Sequence, residues 1–370
     1  AGLTSVGDMS THQQVVFVAV VLLRLGVPLF IPRFPLPALL AALVIDGIDQ
    51  TIFQWFDVTA VLKDYQNYDK ALDIYYLVIA YTSTMRNWHH KRAFQVARGL
   101  WYYRLAGTLA FEFSGYGPLL LIFPNTFEYF VIAYEAVRTL WNPARLTNRQ
   151  VVIGAAAIWI VVKLPQEWWI HVAHLDVTDE VAAHPLVAAV IFGAAALLIA
   201  AAGVFVWSRA PSPDWRFTVD VDAHQPHRRP DSRPEGGRNW LKHTGEKVVL
   251  TAAVVVIFGH ILAANVGAGR LALGVNVVIV LNAGVTEALE FARPLPLPLA
   301  ARFVVGVVVN AVIFEVLVLL RGPLVIDRPT ALFLLLLLSL IVTFYDHFRA
   351  VSYGIAATAP TERSRASTPT

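Results

Sequence analysis

The chain contains 370 residues, of which 57% are hydrophobic and only 15% are charged, and its mean hydropathy is +0.58. Soluble domains contain about 25% charged residues, so this composition excludes an ordinary water-soluble enzyme. The lack of cysteine excludes disulfides, thiolate metal sites and thiol catalysis. The formal net charge is +3, but the basic residues fall in short connections, where they act as topology signals. We therefore expect membrane lipids as partners and no nucleic acid.

Long apolar stretches follow one another along the chain. A transmembrane helix requires about 20 predominantly apolar residues, and eleven stretches approach this length. They predict an all-α, multi-pass helical bundle in the cell membrane. The predicted spans are 14–31, 37–56, 72–88, 94–113, 117–139, 151–172, 185–207, 248–267, 271–290, 301–320 and 331–348. The first is interpreted as a retained span, because it has neither the basic segment nor the cleavage site of a signal peptide.

The connections between the spans predict orientation and domain organisation. The segment 86–98 contains four basic residues and no acid, whereas 57–73 contains four acids and two lysines. Lysine and arginine accumulate inside, which predicts an outside N-terminus and an inside C-terminus. Residues 209–247 are polar and proline-rich, which predicts a flexible cytoplasmic loop. It would separate a polar-cored bundle, 1–208, from an apolar bundle, 248–350, and residues 351–370 are expected to be a disordered tail.

Polar residues inside the spans form stripes. An ionisable side chain in hydrocarbon costs at least about 2.5 kcal/mol, so several together are expected to face one another or water. At about 100° per residue, the polar residues of the second span cover an arc of about 140° and those of the third about 80°. These residues are Asp46, Asp49, Gln50, Gln54 and Asp57, followed by Asp69, Asp73, Tyr76, Ser83 and Asn87. Spans four to six add Arg104, Thr108, Glu112, Glu128, Glu135, Lys163, Glu167, His171 and His174. We predict that these faces border one wet cavity that opens outward.

The residue types in the stripes suggest a division of roles. Carboxylates and imidazoles bind divalent cations, so Asp46, Asp49, Asp69 and Asp73 are the predicted ligands of Mg²⁺ or Mn²⁺. The candidates for general acid or base are Glu167, His171 and His174. The predicted substrate-binding residues are Gln50, Gln54, Arg104, Glu112, Glu128, Glu135 and Lys163. The alternative for the charged residues is a purely structural pairing with their neighbours, and for His171 and His174 it is a position at the headgroup boundary.

The spacing Asp46-x-x-Asp49 followed by Asp69-x-x-x-Asp73 resembles the acidic skeleton of the CDP-alcohol phosphotransferases. The resemblance implies that the aspartates bind two divalent metals and a CDP-linked lipid or alcohol. The chain departs from the pattern of that family in three respects. It lacks the glycine-x-x-alanine-arginine after the first pair, the interval between the pairs is two residues longer, and the loop is predicted to lie outside.

Three functions remain open. The first is a membrane enzyme, a metal-dependent transferase or hydrolase, which acts near the outer leaflet on a lipid-linked or phosphorylated substrate. The second is a secondary transporter or channel with a polar pathway through spans 2–6, favoured by the stripe that runs from Asp69 to Asn87. The third is a structural or assembly subunit with other membrane subunits as partners, suggested by the small residues of 193–203. In the apolar second half, Asn310 is expected to hydrogen-bond between helices, and Glu315 either to be protonated or to require a partner.

Overall fold

The computed structural model describes residues 10–58, 65–171, 183–223, 237–262, 278, 281, 298–321 and 328–358. Every regular element in these ranges is helical. The helices are α1 (Thr11–Gly26), α2 (Pro35–Trp55), α3 (Tyr65–Asn87), α4 (Lys91–Ser114), α5 (Pro118–Ile122), α6 (Thr126–Arg138), α7 (Asn148–Ala157), α8 (Leu164–His171), α9 (Pro185–Arg209), α10 (Gly237–Leu262), α11 (Leu299–Arg321) and α12 (Arg328–Thr358). A 3₁₀ turn, Val27–Phe30, continues α1, and a π-helical segment, Ile158–Lys163, joins α7 to α8.

Six stretches of helix among the described residues are long and apolar enough to cross a membrane. They are Thr11–Phe30, Pro35–Trp55, Pro118–Arg138, Asn148–Trp168, Leu299–Val316 and Thr330–Arg349. The described part of the chain is therefore all-helical and contains helices suited to a membrane protein, as the composition predicts. The count of about eleven spans and the orientation remain predictions. In α1 the apolar side chains of Val15, Val18 and Leu22 are exposed, as expected for a helix whose outer face contacts lipid.

The helices form two compact units, residues 1–101 together with 219–370, and residues 102–218. The first unit joins the beginning of the chain to its end, whereas the predicted bundles, 1–208 and 248–350, follow one another along the sequence. A division along the sequence does not consider packing between distant segments. In the first unit that packing is extensive, because α3 lies against α12 and also contacts α10.

Helix α3 is the buried centre of the first unit. Between Ala71 and Asn87 nearly every side chain is buried, including the polar Ser83 and Asn87. The hydroxyl groups of Thr82, Ser83 and Thr84 donate to carbonyls three residues earlier in the same helix. Because these polar groups are satisfied internally, α3 can remain buried among apolar neighbours despite a polar composition.

Glu246 of α10 connects four helices of the first unit. Its carboxylate accepts a 2.7 Å hydrogen bond from the Tyr81 hydroxyl of α3. It also pairs with Arg98 of α4 at 3.3 Å and with Arg349 of α12 at 3.1 Å. The adjacent Lys247 pairs with Asp346 of α12 at 2.9 Å. These ion pairs fix the relative positions of α3, α4, α10 and α12.

Helices α11 and α12 pack together through small and polar residues. The Asn310 amide donates a 2.8 Å hydrogen bond to the Ser339 hydroxyl, and both residues are buried. This is the interhelical hydrogen bond that the sequence predicts for Asn310. Gly306 faces the same contact, and a Cβ at this position would lie 3.4 Å from Thr343 Oγ1, an ordinary van der Waals distance. The Glu315 side chain is exposed on α11, so it is not held by an enclosed partner among the described residues.

In the second unit, the segment after α9 follows the connection between α6 and α7. The backbone nitrogens of Asp214 and Thr218 donate to the carbonyls of Leu140 and Thr139 at 2.9 and 3.1 Å. Arg145 pairs with Asp214 at 2.6 Å. This described part of the predicted flexible loop 209–247 therefore has defined hydrogen bonds, and residues 237–247 belong to α10. The predicted flexibility of residues 224–236 concerns positions outside the described residues.

Candidate functional site

Four aspartates of the first unit surround one arginine. Arg24 of α1 donates through Nη1 to Asp49 and, at 2.6 Å, to Asp69. Its Nη2 donates to Asp46 and, at 3.0 Å, to Asp73. We call these five residues the Arg24 cluster. The cluster joins the first three helices, because Asp46 and Asp49 lie on α2 whereas Asp69 and Asp73 lie on α3.

The helical spacing explains why the carboxylates meet. Asp46 and Asp49 are three positions apart and Asp69 and Asp73 are four apart, so each pair lies on one face of its helix. Long helical side chains lean toward the N-terminus of their helix, which brings the Arg24 guanidinium beside the middle of α2. The Tyr75 hydroxyl donates a 2.8 Å hydrogen bond to the Leu25 carbonyl. That bond fixes α3 against α1 next to the cluster.

Asp57 has a different role from the one that its place in the predicted stripe indicates. It follows the end of α2, with a φ of 54°. The Val58 nitrogen donates to the Phe53 carbonyl at 2.8 Å, and both side chains are fully buried with Val20. This arrangement is a Schellman helix end, with Asp57 in the left-handed position. Asp57 therefore ends the helix and its side chain is exposed.

The Arg24 cluster contains more negative than positive groups. The side chains of Arg24 and Asp49 are 3% and 0% exposed, and that of Asp69 is 32% exposed. If all four carboxylates are ionised, one guanidinium faces four negative charges, an excess of three. Excess charge is costly where water is largely excluded. A bound proton or cation would relieve that cost.

Three of the four predicted metal ligands are close enough to share an ion. Asp46, Asp69 and Asp73 each present one carboxylate oxygen, and these oxygens lie within 4.8 Å of one another. The fourth, Asp49, is fully buried against Arg24. The neighbouring Gln50 and Gln54 of α2, predicted to bind substrate, are exposed.

A second set of predicted site residues meets at Asn125 in the second unit. The Asn125 side-chain amide donates to Glu128 at 2.8 Å, and its backbone nitrogen lies 3.5 Å from Glu167 Oε1. The same Glu167 oxygen is 3.7 Å from Lys163 Nζ. Lys163 also lies over the Tyr129 ring, 4.4 Å from its centre. All four residues that make these polar contacts are buried, and we call them the Asn125 network.

The other predicted site residues have separate positions. Glu135 pairs with Arg138 at 2.6 Å, one turn further along α6, and Glu112 is half-buried on α4. His171 is the last residue of α8, while His174 lies outside the described residues. The shared cavity and the catalytic roles of Glu167, His171 and His174 are still predictions.

Arg24 is the site residue that the sequence interpretation did not identify. Its signal is present, because Arg24 is the sole charged residue of the predicted span 14–31. A charge inside a span implies a partner within the protein. The partner aspartates were visible as stripes, but the stripes alone do not show that they meet on α1.

No protein-family model matches the chain, and no curated protein sequence or solved structure is detectably similar to it. The class is therefore defined by the fold and the site alone. The chain is an all-helical membrane protein with an aspartate-rich cluster around a buried arginine.

Proposed function

We propose that the Arg24 cluster binds a divalent cation and that the protein is a membrane enzyme acting on a lipid-linked or phosphorylated substrate. One observation carries this proposal: a single buried guanidinium serves four carboxylates from two neighbouring helices. Arg24 alone leaves the cluster short of positive charge. A divalent cation would supply much of the missing charge at one point.

The spacing of the carboxylates supports a hard divalent ion. Oxygen ligands lie about 2.0 to 2.6 Å from Mg²⁺ or Ca²⁺, so two ligands on opposite sides of an ion are about 4 to 5 Å apart. The oxygens of Asp46, Asp69 and Asp73 lie within 4.8 Å of one another, inside that range. Mg²⁺ or Mn²⁺ would require a small approach of the three carboxylates. Such an ion can neutralise a phosphate and orient it for displacement.

The depth of the cluster supports a substrate that resides in the membrane. Asp49 lies six residues before the end of α2, and Asp73 eight residues after the start of α3. At about 1.5 Å per residue these positions are about 9 and 12 Å from the helix ends. For helices that end at the headgroups of a hydrocarbon core about 30 Å thick, these distances correspond to positions between the headgroups and the midplane. A phosphate attached to a lipid can reach this depth from the side.

The binding step can be tested with Mn²⁺ alone. Electron paramagnetic resonance of purified protein should show one bound Mn²⁺ per chain. Asp73→Asn should weaken binding at least about tenfold, since ligand loss typically has a large effect on metal affinity. Glu315→Gln is the matched control, because it removes an exposed carboxylate from α11. Equal binding by all three proteins would exclude the cluster as the metal site.

The catalytic step requires a second measurement. A short-chain polyprenyl diphosphate, offered with Mn²⁺, should be hydrolysed by water to the monophosphate and inorganic phosphate in the presence of the wild type and Glu315→Gln. Asp73→Asn should reduce the rate strongly. If the protein binds Mn²⁺ through Asp73 but acts on neither this substrate nor other phosphorylated lipids, the metal site is supported and the proposed enzymatic activity is wrong.

A secondary transporter is the second candidate function. It is favoured by Arg24 itself, because the guanidinium already bonds to every carboxylate of the cluster. The remaining charge can then be supplied by protons, which carboxylates inside membranes commonly carry. Proteoliposomes with a pH gradient should show proton flux in the wild type and Glu315→Gln, and little flux in Asp73→Asn. If Asp73→Asn changes neither metal binding, turnover nor flux, the cluster is a structural ion network, the alternative given for the polar stripes.

A further inference from the structure

A break interrupts the apolar span Pro118–Arg138 in the second unit. Helix α5 ends at Ile122 and α6 begins at Thr126, so residues 123–125 are not helical. Pro124 lacks an N–H group and disfavours the helical conformation at Phe123. Asn125 then caps the new helix. Irregular backbone at membrane depth is tolerated where protein covers it or where it borders a cavity.

Helix α4 covers this break closely. The Tyr103 hydroxyl donates to the Ile122 carbonyl at 2.6 Å, and Arg104 Nη1 donates to the Phe123 carbonyl at 3.1 Å. One turn later, a Cβ added to Gly107 would lie only 2.1 Å from Phe123 Cβ. Only glycine fits here without a shift of the backbone. The packing therefore holds Arg104 at the break.

Arg104 is a buried cation that lacks a carboxylate partner among the described residues. The residue is 8% exposed, and its guanidinium donates to a neutral carbonyl, that of Phe123. Arg24, which is similarly buried, bonds to four carboxylates. Buried charges in proteins are normally paired, because an unpaired one carries a large desolvation cost. Among the described residues, Arg104 is thus a buried positive charge with no carboxylate at ion-pair distance. The buried carboxylates of Glu128 and Glu167 instead contact Asn125 of the same break.

Three buried donor atoms around the break lack a partner among the described residues. They are Arg104 Nε, Thr126 Oγ1 and Trp159 Nε1. Thr126 is 2% exposed and directly follows the break. Trp159 belongs to the π-helical segment and packs on Tyr103 at 5.5 Å, and Tyr103 packs on Phe123 at 4.6 Å. Because all three groups carry hydrogen-bond donors, each would be satisfied by an acceptor.

We propose that the break at 123–125 binds a small oxyanion through Arg104, Thr126 and Trp159. One negative charge balances Arg104, and oxygen lone pairs accept from all three donors. A phosphodiester of a lipid headgroup and a free phosphate share this chemistry. Arginine is well suited to it, since its planar fork matches oxyanion geometry. The site belongs to the second unit and does not depend on the function proposed for the Arg24 cluster.

Thermal unfolding in phospholipid-free detergent tests the free anion. Inorganic phosphate, compared with chloride at equal ionic strength, should raise the Tm of the wild type by several degrees. Arg104→Gln should abolish the shift. Arg92→Gln is the matched control, because Arg92 is an exposed arginine of the same helix, and its shift should equal that of the wild type.

The lipid is tested separately by native mass spectrometry after purification with phosphatidylglycerol. The wild type and Arg92→Gln should retain one lipid more per chain than Arg104→Gln. Thr126→Val should weaken the response of the wild type, whether that response is to phosphate or to lipid, and Thr126→Ser should restore it. These two variants keep the test valid if Arg104→Gln does not fold. A response to phosphate or to lipid, lost in these variants, supports the oxyanion site and identifies its source. Equal responses in all variants, or none with either probe, would overturn it.

Discussion

Nη2 of Arg24 lies 3.0 Å from Oδ1 of Asp73, although the two residues are 49 positions apart in the sequence. The contact joins α1 to α3, and the same guanidinium joins both helices to Asp46 and Asp49 of α2. Arg24 is therefore both the centre of the candidate site and the link between the first three helices.

Replacing Arg24 by glutamine is expected to destabilise the protein by about 3 to 5 kcal/mol, because it leaves the fully buried carboxylate of Asp49 uncompensated beside three partly buried ones. The free energy of unfolding can be measured by denaturant titration in detergent. Adding Asp49→Asn to Arg24→Gln should recover part of the loss, since it removes the carboxylate with 0% exposure.

Arg33→Gln is the control for this experiment. Arg33 pairs with Asp220 at 3.2 Å, but its side chain is 62% exposed, and exposed pairs contribute at most about 1 kcal/mol. If Arg24→Gln costs no more than Arg33→Gln, the Arg24 cluster does not hold the three helices together.

Asp57 should be replaceable by glycine without loss of stability. Its φ of 54° is accessible to glycine at no steric cost. A branched residue in this conformation is strained, so Asp57→Val should destabilise by about 1 to 2 kcal/mol. Thermal unfolding of both variants tests the helix-ending role. Similar Tm values for the two variants would contradict it and would leave Asp57 available for the polar stripe.

Gly107→Ala is expected to be strongly destabilising, because the new Cβ would lie 2.1 Å from that of Phe123. Gly99→Ala on the same helix is the control, since nothing lies within 4 Å of its Cβ position. Alanine is favoured over glycine in a helix by about 1 kcal/mol, so Gly99→Ala should stabilise. Differential scanning fluorimetry should therefore show Tm changes of opposite sign. A neutral Gly107→Ala would mean that α4 does not pack against the break as described.

Lys163 and Glu167 should be strongly coupled. Their charged groups are 3.7 Å apart and their side chains are 5% and 7% exposed. A double-mutant cycle with Lys163→Met and Glu167→Gln should give a coupling energy of about 1 to 3 kcal/mol. The pair Arg145–Asp214 is shorter, at 2.6 Å, but the arginine is 59% exposed, so its coupling should stay below about 1 kcal/mol. The reverse order of the two couplings would show that burial does not set their strength.

Much of the helical architecture follows from local sequence. Predicted spans such as 37–56 and 331–348 overlap helices α2 and α12, because apolar length is a property of each segment alone. The interruption of the predicted span 117–139 was not anticipated. Pro124 is its sequence signal, but a proline inside a span can also produce a simple kink. A full break is possible because Tyr103 and Arg104 of α4 donate hydrogen bonds to the carbonyls of Ile122 and Phe123, and these contacts come from another helix.

The candidate site was predictable in part. Periodicity placed Asp46 with Asp49, and Asp69 with Asp73, on single helical faces, and the structure brings both pairs together. Arg24 is not part of the predicted site, because a polar stripe requires several polar residues on one helical face and Arg24 is a lone charge in its span. Asp57 was included because it continues the angular pattern of α2, and periodicity does not show where a helix ends.

The sequence by itself determined that this protein resides in a membrane and that certain helices carry polar faces, since hydropathy and periodicity are summed along one segment at a time. Only the tertiary structure decided which polar groups meet. Arg24 contacts four carboxylates, whereas Arg104 contacts no carboxylate among the described residues. The reason is that the partners of a buried charge come from other helices and depend on how those helices pack.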